Sequence, residues 1–393
     1  MALLSEKVSN YISDDLVFSI LSKLSLKSLN RFTCVRKSWV LLFENPHFMS
    51  MYRKNFISNN RSYYYDDTSL LLKQTLLDFE NHSMLYLLSG EKFDNRIKLD
   101  WPPPFQDNDR HINILGSGIN GILCLYVEGT SSKVVVWNPS IQEFKIIPPS
   151  PVLSVPPYVN VVLKLHGFGY DSVRDDYKII RYVDFFPDPY NFKYDSRNVI
   201  SSKRPYKYKP LWEIYSLKSN SWRKLDLDMT IFCHYLSRRG VQHKVYLNGV
   251  CHWLGNTETN MDNICLISFD LSNEVFFRTF IPSITDDGIN LELVNYHLGL
   301  LNKSIALIFN IIQTQTFHIS VLGEIGVEES WTKLFIVGPL PYLGHPIGIG
   351  KSRNIFFIKE NDELVWCDLS TNTIQETGMK GNLFFCQIVN YNL

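Results

Sequence analysis

The chain has 393 residues, 45% of them hydrophobic, 20% charged and 14% aromatic, and its formal net charge is zero. This length holds two domains or a small module beside a large one, and a neutral balance removes any global pull towards nucleic acid or anionic membrane. The opening residues lack an apolar stretch of signal-peptide length, and no run approaches the roughly 18 apolar residues of a membrane span, so the expected setting is cytoplasm or nucleus.

The charge is uneven. Residues 1–62 carry nine Lys/Arg and four acids, about +5, which leaves about −5 for the remainder. A basic head of this kind is either a surface for an acidic partner or a solvated helix face. The seven cysteines (Cys34, Cys124, Cys233, Cys251, Cys265, Cys367 and Cys386) are scattered, odd in number and without a Cys-x-x-Cys pair. They read as reduced core thiols.

In chain order, the first predicted element is a helix that Ser13 can cap, with Asp14 and Asp15 at the positive end of its dipole. Leu16, Ile20, Leu21 and Leu24 recur on it at helical spacing as one stripe. Ser25 breaks the pattern, and residues 27–32 form a second short helix with Leu29 and Phe32 on one side. A third, about 36–43, turns Trp39, Leu42 and Phe43 inward, and Pro46 starts a fourth short turn carrying Phe48, Met49 and Tyr52. So few residues cannot bury a core of their own. The helices are therefore either a cap on the larger domain or a docking module for another protein.

Residues 12–39 resemble the F-box of plant proteins. Asp15, Leu16, Ile20, Leu21, Leu24, Lys27, Ser28, Leu29, Arg31, Phe32, Cys34, Val35, Lys37, Ser38 and Trp39 fall on the positions of its pattern. The resemblance implies binding to a Skp-type adaptor and through it to a cullin scaffold, with Asp15, Leu16, Ile20, Leu24, Lys27, Leu29 and Phe32 as adaptor contacts and Trp39 in the module's own core. Ser13 and Ser25 stand where the family has proline, and Ser19 where it has glutamate, departures expected to weaken the docking. A degraded F-box would leave an interaction scaffold that recruits no ligase.

From about Leu70 one unit recurs: an apolar strand, a polar turn rich in Asn, Ser and Asp, and a second strand bearing an aromatic. It appears at 134–144, 212–222, 267–277 and 364–374, and more weakly at 317–331 and 77–88. Further strand pairs precede these hairpins, including Gly167-Phe168-Gly169-Tyr170-Asp171 with Asp176-Tyr177-Lys178, and 245–254. Four strands repeated every 45–60 residues or so describe propeller blades, about six of them, with an insertion between Asn138 and Asn220. Such blades must stack into a ring, and the apolar run Leu383 to Val389 is placed to close it. A β-sandwich is the alternative.

The units are similar to the F-box-associated, degenerate kelch-like domain of plant F-box proteins, of which Gly167 to Asp171, Asp175-Asp176-Tyr177-Lys178 and Trp137-Asn138-Pro139-Ser140 are typical. The expected architecture is α+β multidomain: an all-α F-box module over 8–54, a linker over 55–69 and an all-β propeller over 70–393.

No catalytic constellation emerges. Cys251-His252-Trp253 lies on a strand whose neighbouring side chains face opposite ways, so metal ligation is not expected. Gly116-Ser117-Gly118 lacks the lysine of a phosphate loop and leads into a strand. Between Phe192 and Pro210, basic residues alternate with tyrosines; Lys203, Arg204, Tyr206, Lys207 and Tyr208 are the candidates for contact with a target protein, and an inserted solvated loop is the plainer reading. The implied function is the non-catalytic substrate-recognition subunit of a ubiquitin ligase, with no cofactor, no metal, no nucleic acid and no membrane partner. A ligand-binding or enzymatic propeller is the alternative.

Overall fold

A computed structural model describes residues 13–24, 26–58, 68–76, 83–90, 93, 95–105, 112–127, 133–151, 159–187, 209–226, 244–257, 260–282, 294–350, 354–380 and 383–392. Four helices come first: α1 (Asp14–Leu21), α2 (Leu26–Thr33), α3 (Lys37–Val40) and α4 (Pro46–Ser58), with a 3-10 turn, Leu41–Glu44, before the last. The expected third helix is thus split in two, and the expected fourth turn is a helix of 13 residues. Asn45 starts it, its Oδ1 accepting from the backbone N–H groups of His47 and Phe48 at 3.0 Å, and Pro46 holds the first position, where its missing N–H costs nothing.

The strands form six four-stranded antiparallel sheets. The first blade holds β1 (Thr68–Leu76), β2 (Ser83–Ser89) and β3 (Asn95–Leu99); the second β4 (Ile112–Ile114), β5 (Leu123–Val127), β6 (Val134–Asn138) and β7 (Glu143–Ile146). The third holds β8 (Val159–Asp171), β9 (Asp176–Pro187), β10 (Leu211–Ser216) and β11 (Ser221–Leu225); the fourth β12 (Lys244–Leu247), β13 (Val250–Thr257), β14 (Asn260–Asp270) and β15 (Val275–Phe280). The fifth holds β16 (Val294–Leu301), β17 (Ser304–Ile311), β18 (Thr316–Leu322) and β19 (Trp331–Val337); the sixth β20 (Leu343–Ile349), β21 (Asn354–Lys359), β22 (Glu363–Asp368) and β23 (Thr373–Lys380). The last strand, β24 (Leu383–Asn392), returns to the first blade and pairs antiparallel with β1, from Thr68 opposite Asn392 to Leu76 opposite Leu383. The chain is a six-bladed propeller closed by its own C-terminal strand.

Burial follows position in the blade. Middle strands such as β5 and β6 are buried on both faces, because each blade is stacked between two others, and they read as continuous apolar runs. Outer strands such as β7 and β23 are mostly exposed. Apolar clusters fill the six seams: Leu123 and Val389 between blades one and two, Tyr126 and Phe168 between two and three, Trp212 and Trp253 between three and four. Leu266 and Leu307 lie between four and five, Phe317 and Phe357 between five and six, Phe356 and Leu70 between six and one.

The recurring polar turn has a physical basis. Asn138, Asp171, Asp270 and Asp368 each accept, at Oδ1, the backbone N–H two residues on, at 2.7–3.0 Å. Four residues after each, Gln142, Asp175, Glu274 and Asn372 take φ of +52 to +58° and reverse the chain. A short side-chain acceptor that nucleates the turn explains why Asn and Asp recur there. Gly167 and Gly169 serve a different end. A Cβ at Gly167 would lie 2.6 Å from Cys251 Cβ, and one at Gly169 2.4 Å from Leu271 Cδ1, so both glycines let the third blade close on the fourth.

Turns between the first and second, and the third and fourth, strands of a blade lie on one face of the ring; all other connections lie on the opposite face. The helices sit on the first of these. Val17, Leu21, Leu29, Leu42, Phe48, Met49 and Tyr52 join the cluster of the seam between blades five and six. Arg31 Nη2 bonds Glu324 Oε1, in the β18–β19 turn, at 3.2 Å. The helices thus share a core with the ring.

Candidate functional site

Helix α1 is apolar on two sides. Val17 and Leu21, one turn apart, are buried towards the ring, where Phe18 also meets Phe48 edge-on at 5.5 Å. Leu16 and Ile20, likewise one turn apart, are 58% and 54% exposed. Spacing predicts Leu16, Ile20 and Leu21 on one stripe; the structure divides them between two faces, one already used and one free for a partner. The neighbouring segments add exposed Phe32, Val35, Val40 and Leu41. Isolated exposed apolar residues are ordinary; six of them within residues 16–41 make this stretch the candidate docking surface.

The expected contacts separate accordingly. Asp15, Leu16, Ile20 and Phe32 are exposed. Leu24 is half-buried against the shared core. Leu29 is 0% exposed inside that core, which corrects its assignment as a surface contact: it holds the helices to the ring. The Lys27 side chain, and Lys203, Arg204, Tyr206, Lys207 and Tyr208, lie outside the described residues. Trp39 is half-buried, packs on the core and lies 6.0 Å from the Phe32 ring. The departures from the F-box pattern have a mixed outcome. Ser13 makes no side-chain cap, yet its φ of −59° is the angle that proline would fix. Val35, Val40 and Leu41 were not among the predicted contacts, since α3 has only four residues, too few to give a periodicity from which to read exposure.

Groups of catalytic type are occupied structurally. Burial pushes the thiols of Cys265 and Cys367 up to about 11 and that of Cys386 to about 12, so none is a nucleophile at neutral pH. On β13, Cys251 and Trp253 enter the seam between blades three and four. His252 faces the other way, its Nδ1 2.8 Å from Ser268 Oγ. Among the described residues no group of three His, Cys, Asp or Glu is placed to hold a metal ion, and no helix is long and apolar enough to cross a membrane.

Burial lowers the His252 pKa to about 3, and lowers that of His166 well below its usual value, aided by Lys244 and Lys164. Both imidazoles are therefore neutral in the fold. Below the ordinary value of about 6.5 the unfolded chain takes up two protons that the folded chain does not, so stability falls with pH from there towards 3. The expected slope is up to about 2.7 kcal/mol per pH unit between pH 6 and 4. Urea unfolding at a series of pH values reads it, and His252→Gln should remove about half.

Residues 72–390 match the F-box associated beta propeller domain, and the chain belongs to that family. The match begins within β1, so the helices lie outside it. F-box protein CPR1 of Arabidopsis thaliana is 26% identical over 385 residues, covering 93% of this chain and 84% of that protein. Putative F-box protein At5g15660 of the same plant is 26% identical over 325 residues, covering 82% of this chain and 64% of that protein. Among solved structures, an oligogalacturonate lyase in complex with manganese aligns over 76% of this chain and 71% of that chain with a TM-score of 0.40 at 10% identity, a likeness too weak to bear on function.

Proposed function

We propose that this chain is the substrate-recognition subunit of a Skp–cullin–F-box ubiquitin ligase. The helices form the F-box, over about residues 8–54, and dock a Skp-type adaptor that links them to the cullin. The propeller holds a target protein. The observation that carries this reading is the second apolar face of α1: Leu16 and Ile20 stay exposed after Val17 and Leu21 have bound the ring. The strands that flank 188–208, β9 and β10, end on the face opposite the helices, which suits a target held away from the adaptor.

The subunit breaks no bond. It raises the effective concentration of a target lysine at the charged conjugating enzyme, because a shared core and the Arg31–Glu324 pair fix the helices on blades five and six. The expected result is that the full chain co-purifies with a Skp-type adaptor and a cullin. A well-folded chain that brings down neither contradicts the reading.

The other reading is an interaction scaffold with an F-box that no longer docks. The uncapped Ser13 favours it, since α1 lacks a side-chain acceptor at its start.

A further inference from the structure

The helices share a core with the seam between blades five and six. The next seam, between blades four and five, has an apolar and exposed outer mouth. On β15, Thr279 lies opposite Leu266, a member of that seam's cluster. Alternate residues of a strand share a face, so Val275 and Phe277 point the same way as Thr279. On β19, Ile336 lies opposite His318, and His318 lies opposite Phe309 of the same cluster. Two outer strands thus line one mouth with apolar side chains: Val275 is 44% exposed, Phe277 40% and Ile336 56%.

The β18–β19 turn, residues 323–330, joins this strip to the helices. Gly326 N donates to Thr279 Oγ1 at 2.7 Å, which seats the turn on β15, and Trp331 Nε1 donates to Phe280 O at 3.0 Å. Ile325 and Val327, on either side of Gly326, stay exposed. The residue before them, Glu324, holds Arg31 of α2, and Phe32 and Val35 beyond Arg31 are exposed too. The strip on the ring and the free apolar residues of the helices therefore meet at one ion pair, and the shared core fixes their relative placement. Contiguous apolar exposure of this kind marks an interaction surface, where scattered single residues would not. Glu328 and Glu329, exposed in the same turn, add negative charge at its edge.

We propose that the partner seated on α1 and α2 also covers Ile325, Val327, Phe277 and Ile336, using an apolar segment flanked by basic residues that face Glu328 and Glu329. The inference rests on the ligase reading, so the partner is the adaptor, and it deepens that reading by giving the adaptor a second contact, on the propeller itself. A standard interface engages about 20–30 residues on each side. A partner of that footprint on α1 and α2 reaches the turn that Arg31 already touches. Two contacts on one rigid body also hold the adaptor at a set angle to the ring, which serves the positioning of a target.

Titration of a Skp-type adaptor into the full chain tests it. The wild type is expected to bind. Ile325→Asp, Val327→Asp should bind about tenfold more weakly, the scale of a lost apolar anchor at an interface, with an unchanged melting temperature because both side chains are exposed. Ile336→Asp, on a different element, should weaken binding in the same direction, and it decides alone if the double variant melts lower than the wild type. Glu328→Lys, Glu329→Lys should weaken binding as well, and more so at low salt. Ile141→Asp is the control: its side chain is 60% exposed on blade two, across the ring, and its affinity should equal that of the wild type. Equal binding by the wild type and the Ile325→Asp, Val327→Asp chain overturns the second contact and leaves the ligase reading standing, and so does an equal loss in Ile141→Asp. A well-folded wild type that does not bind the adaptor overturns both.

Discussion

Deleting residues 383–393 is expected to abolish the folded ring. This segment contains all of β24, the innermost strand of the first blade, whose ladder with β1 joins the two ends of the propeller. Its side chains serve two seams at once. Cys386 and Ile388 enter the cluster between blades six and one, and Val389 and Tyr391 the one between blades one and two. All four are buried, and Tyr391 Oη also lies 3.0 Å from Ser140 Oγ and 3.2 Å from Gly121 O. At about 2 kcal/mol for each buried apolar side chain, their loss costs about 8 kcal/mol, before the lost ladder is counted. A typical domain has only about 5–15 kcal/mol in total. Circular dichroism and size exclusion should show an aggregated or non-cooperative chain. A truncated protein that melts cooperatively within about 5 °C of the full chain contradicts this account of closure.

The second large effect is expected from Asp171→Ala. Asp171 ends β8 and is completely buried. Its carboxylate accepts from Lys178 Nζ at 2.7 Å, Ser272 Oγ at 2.6 Å and Arg174 Nη1 at 3.1 Å, and from the backbone N–H groups of Val173 and Arg174. Burial alone raises the pKa of this carboxyl, but the hydrogen bonds from Lys178, Ser272 and Arg174 outweigh it and hold the group well below the usual carboxylate range. Its contribution to stability is therefore present above about pH 4 and lost as the pH falls further.

Removing the carboxylate strands Lys178, whose side chain is 4% exposed, with Leu271 O at 2.8 Å and the more distant Glu274 at 3.4 Å. Breaking a buried pair from one side costs about 3–5 kcal/mol. Arg174→Ala, at a half-exposed position, should cost less than about 1 kcal/mol. Urea midpoints of the two variants check this order, and an Asp171→Ala chain as stable as Arg174→Ala contradicts it. The same bonds tie blade three to the β14–β15 turn of blade four, since Ser272, Glu274 and Leu271 all lie there.

Much of this was legible in the sequence because the repeated chemistry is local. The turn acceptors Asn138, Asp270 and Asp368 mark hairpins wherever they occur, and they locate blades without knowledge of the seams. Leu383 to Val389 reads as a closing strand because it is an apolar run after the last repeat, and a ring of stacked blades needs a strand to close it. The glycines of Gly167-Phe168-Gly169 mark a place of close approach, but that Cys251 and Leu271 are what approach depends on residues far along the chain.

The helices were read less well. Periodicity says which residues share a face of one helix; it cannot say how many faces are used. Leu16 and Ile20 look equivalent to Leu21 until the ring is present, and Leu29 looks like a contact until blades five and six enclose it. Length was also underestimated in α4, where Arg53 and Lys54 disguise a helix that continues to Ser58. Lys73 lies inside an apolar strand, and the closure of the ring buries it beside the central cavity. Channel residues of this kind become visible only once the innermost strands are known.

The central claim is tested most directly by titrating a Skp-type adaptor into the full chain, beside the Leu16→Asp, Ile20→Asp double variant. Both side chains are more than half exposed, so the variant should melt with the wild type. The account predicts binding at micromolar concentrations or below by the wild type, a scale of about −8 kcal/mol, and its loss in the variant. Absence of binding by a well-folded wild-type chain, or equal binding by both proteins, would contradict it.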